Sequence, residues 1–153
     1  MFLHMTEANP PTTLAALEDF EHERGLVLPG GYKQFLLTTN GGVPEKPAFP
    51  VVGHANYSIH VIKVFLGIGV RWPTTELAYA YDLYTGGIPA NVVPIASDDF
   101  GSYICLDLRD GKDRVAFWDH RHFWGTGEWR ESDFYHVADS FADFLASLRP
   151  NLY

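Results

Sequence analysis

"VPIASDDFGSYICLDLRDGKDRVAFWDHRHFW", Val93 to Trp124, decides the fold of this chain. It holds six aspartates, two histidines, three arginines, one lysine and the only cysteine. Two strand-like runs, Tyr103–Leu108 and Arg114–Asp119, flank Arg109-Asp110-Gly111-Lys112-Asp113. An Asp-Gly pair between apolar runs is a hairpin signal, because both residues accept the left-handed backbone a tight reversal needs. The two runs are therefore predicted to be adjacent antiparallel strands. Asp98-Asp99-Phe100-Gly101 reads as the preceding tight turn, and Val92–Ala96 as the strand before it.

Working outward, Thr12-Thr13 precede Leu14, Leu17 and Phe20, and Gly25 closes the segment. This predicts a capped helix from about Thr13 to Arg24, with Glu18, Asp19, Glu21 and Glu23 on its outer face. Pro29 suits a first helical turn. Tyr32, Phe35 and Leu36 recur at helical spacing, and Gly41-Gly42 stop that helix after Asn40. Val43 to Pro50 is proline-rich and reads as a loop. Tyr57 to Leu66 is β-branched and aromatic and reads as a central strand with a mostly covered second face. Thr74 or Thr75 is expected to cap a short helix carrying Leu77, Ala80, Tyr81 and Tyr84, ended by Gly86-Gly87. Asp139 or Ser140 caps a last helix with Phe141, Phe144, Leu145 and Leu148 on one face. Two helices, then strands in hairpins, then a closing helix is the order of a single α+β domain with a mainly antiparallel sheet. It is not the alternation of a doubly wound sheet.

The size and composition agree with one globular domain. The chain has 153 residues, 46% of them hydrophobic and 20% charged. Aromatic residues reach 15%, which predicts a core packed with large rings. A lone Cys105 excludes an internal disulfide and any cysteine cluster for zinc. Its neighbours Ile104 and Leu106 make it a small core residue, not a nucleophile. No signal peptide is read at the amino terminus, and the apolar run Val61–Val70 is too short to span a bilayer. A cytoplasmic location is expected. The net charge is −8. Residues 1–45 carry 6 acids and 2 bases, residues 46–97 carry 2 and 3, and residues 98–153 carry 11 and 6. Acidic surfaces repel phosphate backbones, so direct nucleic-acid binding is not expected, whereas a basic protein partner fits.

Several short motifs invite chemical readings. Asp99-Phe100-Gly101 spells a kinase metal-binding tripeptide, but no glycine-rich phosphate loop or catalytic His-Arg-Asp accompanies it. Asp119-His120-Arg121-His122 is a possible ligand set. On a strand, His120 and His122 would share a face, with a third ligand from His54, His60 or His136. Hydrogen-bonded histidines at a strand end explain the same residues. Gly67-Ile68-Gly69 lacks a third glycine and a following helix. Asn40-Gly41-Gly42 is a helix stop, not a phosphate loop. Trp118-Asp119 does not repeat as in propellers. No Ser-His-Asp order or carboxylate pair stands out. The residues imply no metal site, no cofactor and no enzyme.

Taken in order, several of these segments resemble a known family. Leu28-Pro29-x-x-Tyr32-x-x-Phe35-Leu36 followed by Asn40-Gly41-Gly42 resembles the amino-terminal motif of the SUKH superfamily, which includes cell-wall-assembly regulators of the Smi/Knr type. Val93-Pro94-Ile95-Ala96, Asp98 to Gly101 and Ile104-Cys105-Leu106-Asp107-Leu108 resemble its central strand motif. Val115-Ala116-Phe117-Trp118-Asp119-His120 resembles the next strand, and Ser140-Phe141-x-x-Phe144-Leu145 the closing helix. The likeness spans roughly residues 12–149 and is loose over 43–91. It implies an α+β domain without catalytic residues, in which Pro29, Phe35, Gly41 and Trp118 are structural. It also implies a protein-binding role, as in bacterial immunity proteins that neutralise a cognate toxin. A regulatory scaffold, or a small-ligand or metal-binding protein using the His120/His122 region, are the other readings. For a toxin partner, the expected contacts are Asp98, Asp99, Asp110 and Asp113, since both turns are expected to project side chains into solvent.

Overall fold

The computed structural model describes residues 4–54 and 59–151. In chain order the elements are β1 (Met5–Glu7), α1 (Leu14–Arg24), α2 (Gly30–Thr38), β2 (Val43–Pro44), β3 (Ala48–Pro50), β4 (Ile59–Val61), β5 (Val64–Phe65), α3 (Leu77–Leu83), β6 (Val92–Ser97), β7 (Tyr103–Asp107), β8 (Arg114–Trp118), α4 (Arg121–Thr126), β9 (Phe134–Ala138) and α5 (Phe141–Ser147). A five-stranded antiparallel sheet runs β5-β6-β7-β8-β9, and two small antiparallel pairs, β1-β2 and β3-β4, stand beside it. The fold class is α+β.

Local chemistry explains the helix ends. The Thr13 side chain accepts from the Ala16 amide, and Gly25 takes a left-handed conformation at the other end of α1. Ser140 accepts from the Asp143 amide at the start of α5. α3 begins after a short 3-10 turn, Pro73–Thr75, so neither Thr74 nor Thr75 caps it. The residue before it, Glu76, turns its carboxylate to the Gly69 and Val70 amides instead.

β7 and β8 pair in the expected register, Tyr103 opposite Trp118 and Asp107 opposite Arg114. Their connection places both Asp110 (φ 62°) and Gly111 (φ 70°) in the left-handed region. Pleating divides the sheet's side chains. Ile104, Leu106, Val115 and Phe117 join the large core built with Leu17, Phe20, Tyr32, Phe35, Leu36, Phe141 and Phe144. Val92, Cys105 and Trp118 face the other way, under Tyr84 and Ile88. Trp118 and Phe35 are both buried.

Two expectations fail here. The Tyr57–Leu66 run is not a central strand; Tyr57 and Ser58 lie outside the described residues, and the rest is split. The Ile62 amide donates to Pro47 O (2.9 Å) and the Lys63 amide to Ser97 O (2.7 Å). The chain thus passes from pairing with β3 to pairing with β6, and β5 ends up at the sheet edge. Val43–Pro50 is not all loop, because β2 and β3 find partners in β1 and β4.

Gly41 and Gly42 do more than end α2. A Cβ on Gly42 would lie 2.1 Å from Glu7 O, and one on Gly41 2.6 Å from Phe65 O. Asn40 is a buried hub. Its side-chain amide donates to Pro10 O (2.9 Å) and Ile68 O (2.6 Å), and its Oδ1 accepts from the Ile68 amide (2.8 Å).

Candidate functional site

The strand expected at Arg114–Asp119 stops at Trp118, and α4 begins at Arg121. His120 and His122 are therefore not alternate residues of one strand, and the shared-face reading is corrected. His120 turns toward the β6–β7 connection. Its backbone N–H donates to Ser102 Oγ (3.3 Å), and that hydroxyl is hydrogen-bonded to Nδ1 (2.7 Å). His122 lies on α4, its Nε2 beside Thr126 Oγ1 (3.3 Å). His136 pairs with Asp139 at 3.0 Å.

The residues that do converge are distant in sequence. A cavity of about 570 Å³ opens between the β3–β4 pair and the ends of β6, β7 and β8. Its lining includes His54, His60, Asp98, Phe100, Asp119 and His120. His54 is buried between two partners, with Nε2 3.0 Å from Asp119 Oδ2 and Nδ1 3.1 Å from His60 Nε2. Asp119 also accepts from the Arg121 guanidinium and backbone amide. Burial opposes ionisation of Asp119, but the Arg121 and His54 hydrogen bonds prevail and hold its carboxyl far below the usual range. Burial, reinforced by nearby His54, pushes the His60 imidazole down to about 4.

The Asp98 turn corrects another expectation. Asp98 does not project into solvent; it is 7% exposed. Its Oδ1 accepts from the Phe100 amide (2.9 Å) and the Ser102 amide (2.9 Å), a side-chain turn that aspartate makes readily. Burial raises its pKa despite those two bonds. Asp99 and Asp110 are exposed and Asp113 is half-buried. The turns are separate: Asp98 and Asp99 line the cavity just described, whereas Asp110 lines a second opening with Asp107, Arg109, Arg114 and Glu131. There Arg109 is held by Asp107 and Glu131, with four contacts of 2.9–3.0 Å.

Chemically, the cavity has few free reactive groups. Ser102 is buried, and among the described residues no carboxylate hydrogen-bonds His120, so the Ser102–His120 pair lacks the third group that orients a general base. Cys105 is fully buried, and burial raises its thiol above the usual range. Among the described residues no group of three or more His, Cys, Asp or Glu is placed to hold a metal. No helix among them is long and apolar enough to cross a membrane. Sequence reading missed β1, α4, β9 and the His54–His60–Asp119 contact. The histidines are six residues apart, and 65 positions separate His54 from Asp119, so no local spacing reports the cluster.

The comparisons agree with this architecture. The SPbeta prophage-derived uncharacterized protein YokK of Bacillus subtilis (strain 168) is 30% identical over 148 residues, covering 86% of this chain and 72% of that protein. Residues 11–147 match the SMI1 / KNR4 family (SUKH-1) over elements that run from α1 to α5. With the ordered motifs, the α+β topology and that match in agreement, the chain belongs to the SMI1/KNR4 (SUKH-1) family.

Proposed function

We propose that this chain is a non-catalytic binding module that neutralises a cognate toxin stoichiometrically, by covering a basic surface of the toxin with its own acidic one. The observation that carries this reading is family membership over residues 11–147, in a chain of net charge −8. The family binds partner proteins. The prophage origin of the Bacillus relative supports a mobile genetic setting. The module acts in the cytoplasm, before the toxin reaches its target. Asp99, Asp110 and Asp113 are the candidate steering charges, and Asp98 contributes from within its turn.

The test is to co-express the product of the neighbouring toxin gene with this protein and measure survival and association rate. Association with a basic toxin should slow as salt rises, since screening acts over about 8–10 Å at 0.1–0.15 M. Reversing exposed Asp99 to lysine, and replacing Asp110 by asparagine, which also accepts the left-handed turn, should slow association while the melting curve stays in place. A protein that neither rescues growth nor binds the neighbour's product refutes the reading.

A further inference from the structure

The β6–β7 connection displays Phe100, which is 84% exposed and the most exposed large aromatic ring among the described residues. This ring is not carried on a loose loop. Asp98 Oδ1 holds the Phe100 and Ser102 amides, the Asp98 amide donates to Ser102 O (3.0 Å), and Ser102 is tied to His120. An exposed aromatic on a pinned backbone gains nothing for the fold, but the turn that carries it loses little entropy when a partner covers the ring, as at an interface anchor.

A second observation adds charge to the same place. Asp98 commits only Oδ1; its Oδ2 accepts no hydrogen bond among the described residues, and the residue lines the cavity wall. Asp99, beside it, is exposed and lines the same opening. The other carboxylate there, Asp119, is already matched by Arg121. Ile59 and Phe117 supply apolar wall. The opening thus offers two carboxylates that form no ion pair among the described residues, an aromatic ring and room for more than one side chain.

We infer that this cavity, with Phe100 at its lip, is the docking site for an arginine-bearing loop of a basic partner protein. The forked guanidinium donates to Asp98 Oδ2 and Asp99, and the Phe100 ring packs on the loop beside it. The inference rests on the toxin-neutralising reading and assigns the surface that performs it. A second copy of this chain is a poor occupant, because both copies would bring a charge of −8.

The experiment is calorimetric titration of this protein with the catalytically inactivated product of the neighbouring toxin gene. Phe100→Ala removes the anchor. Asp98→Asn keeps the Oδ1 acceptor that both amides need but removes the charge. Val27→Ala, at an equally exposed apolar residue between α1 and α2, is the control. Phe100→Ala and Asp98→Asn should each weaken binding at least about tenfold, and Val27→Ala less than about twofold. Thermal melts accompany each variant, and Asp99→Lys reads the charge should Asp98→Asn lower the melting temperature. If wild type and all variants bind equally, the docking surface lies elsewhere and the inference falls, while the toxin reading stands. If wild type binds no neighbouring product, the toxin reading falls and takes the inference with it. Saturation of the wild-type cavity by argininamide alone at micromolar concentration overturns the inference in favour of a small-cation pocket.

Discussion

Replacing Asn40 by alanine tests whether one buried side chain ties the amino-terminal segment to the rest of the fold. Asn40 is 4% exposed. Its side chain makes three hydrogen bonds, donating to Pro10 O and Ile68 O and accepting from the Ile68 amide. Each such bond contributes about 1 kcal/mol net, and each partner left unpaired away from water costs about 1–3 kcal/mol. Water entering the vacated space offsets part of this, so the loss should be about 3–5 kcal/mol. For a domain of this size, that lowers the melting temperature by roughly 6–20 °C. Urea unfolding, followed by tryptophan fluorescence, should show a lower midpoint with an unchanged slope. Asn40→Asp is the sharper variant. It keeps the Oδ1 acceptor but points a second acceptor at two carbonyls, so it should be at least as damaging as alanine. A loss under about 1 kcal/mol for alanine, or an aspartate variant as stable as wild type, would refute the hub.

Phe35→Ala should cost roughly 3–5 kcal/mol in urea unfolding, because the ring packs against Phe65 at 5.1 Å and Phe141 at 5.2 Å in the main core. Gly42→Ala should be more severe than an ordinary surface substitution, and soluble expression measures it, since the new Cβ meets backbone of β1 that cannot retreat. Stability should fall as pH drops from about 6.5 toward about 4, because the unfolded His60 takes up a proton that the folded state resists. His60→Gln should flatten that part of the melting-temperature profile; an unaltered slope would assign the acid sensitivity to other groups.

The sequence alone determined the elements whose causes are local. A threonine or serine cap, a glycine at a helix end and an Asp-Gly pair between apolar runs act over a few residues, and α1, α5 and the β7–β8 hairpin follow from them. The burial of Phe35 and Trp118 was legible for a related reason: periodicity identifies the inward face of an element before its partner is known. Tertiary structure alone decided the rest. The split of the run after His60 depends on which carbonyl each amide reaches, Pro47 O or Ser97 O, and no spacing records that choice. Asp98 was expected at the surface because aspartate favours turns; it sits in a turn, but its carboxylate faces inward to serve that turn's own amides. His120 and His122 were placed on one face by assuming that the strand continued, and the helix at Arg121 separated them. The cavity of His54, His60, Asp98 and Asp119 draws on four separate segments. Loop closure and sheet pairing bring them together, and these are properties of the whole packed chain, so only the folded structure could reveal the cavity.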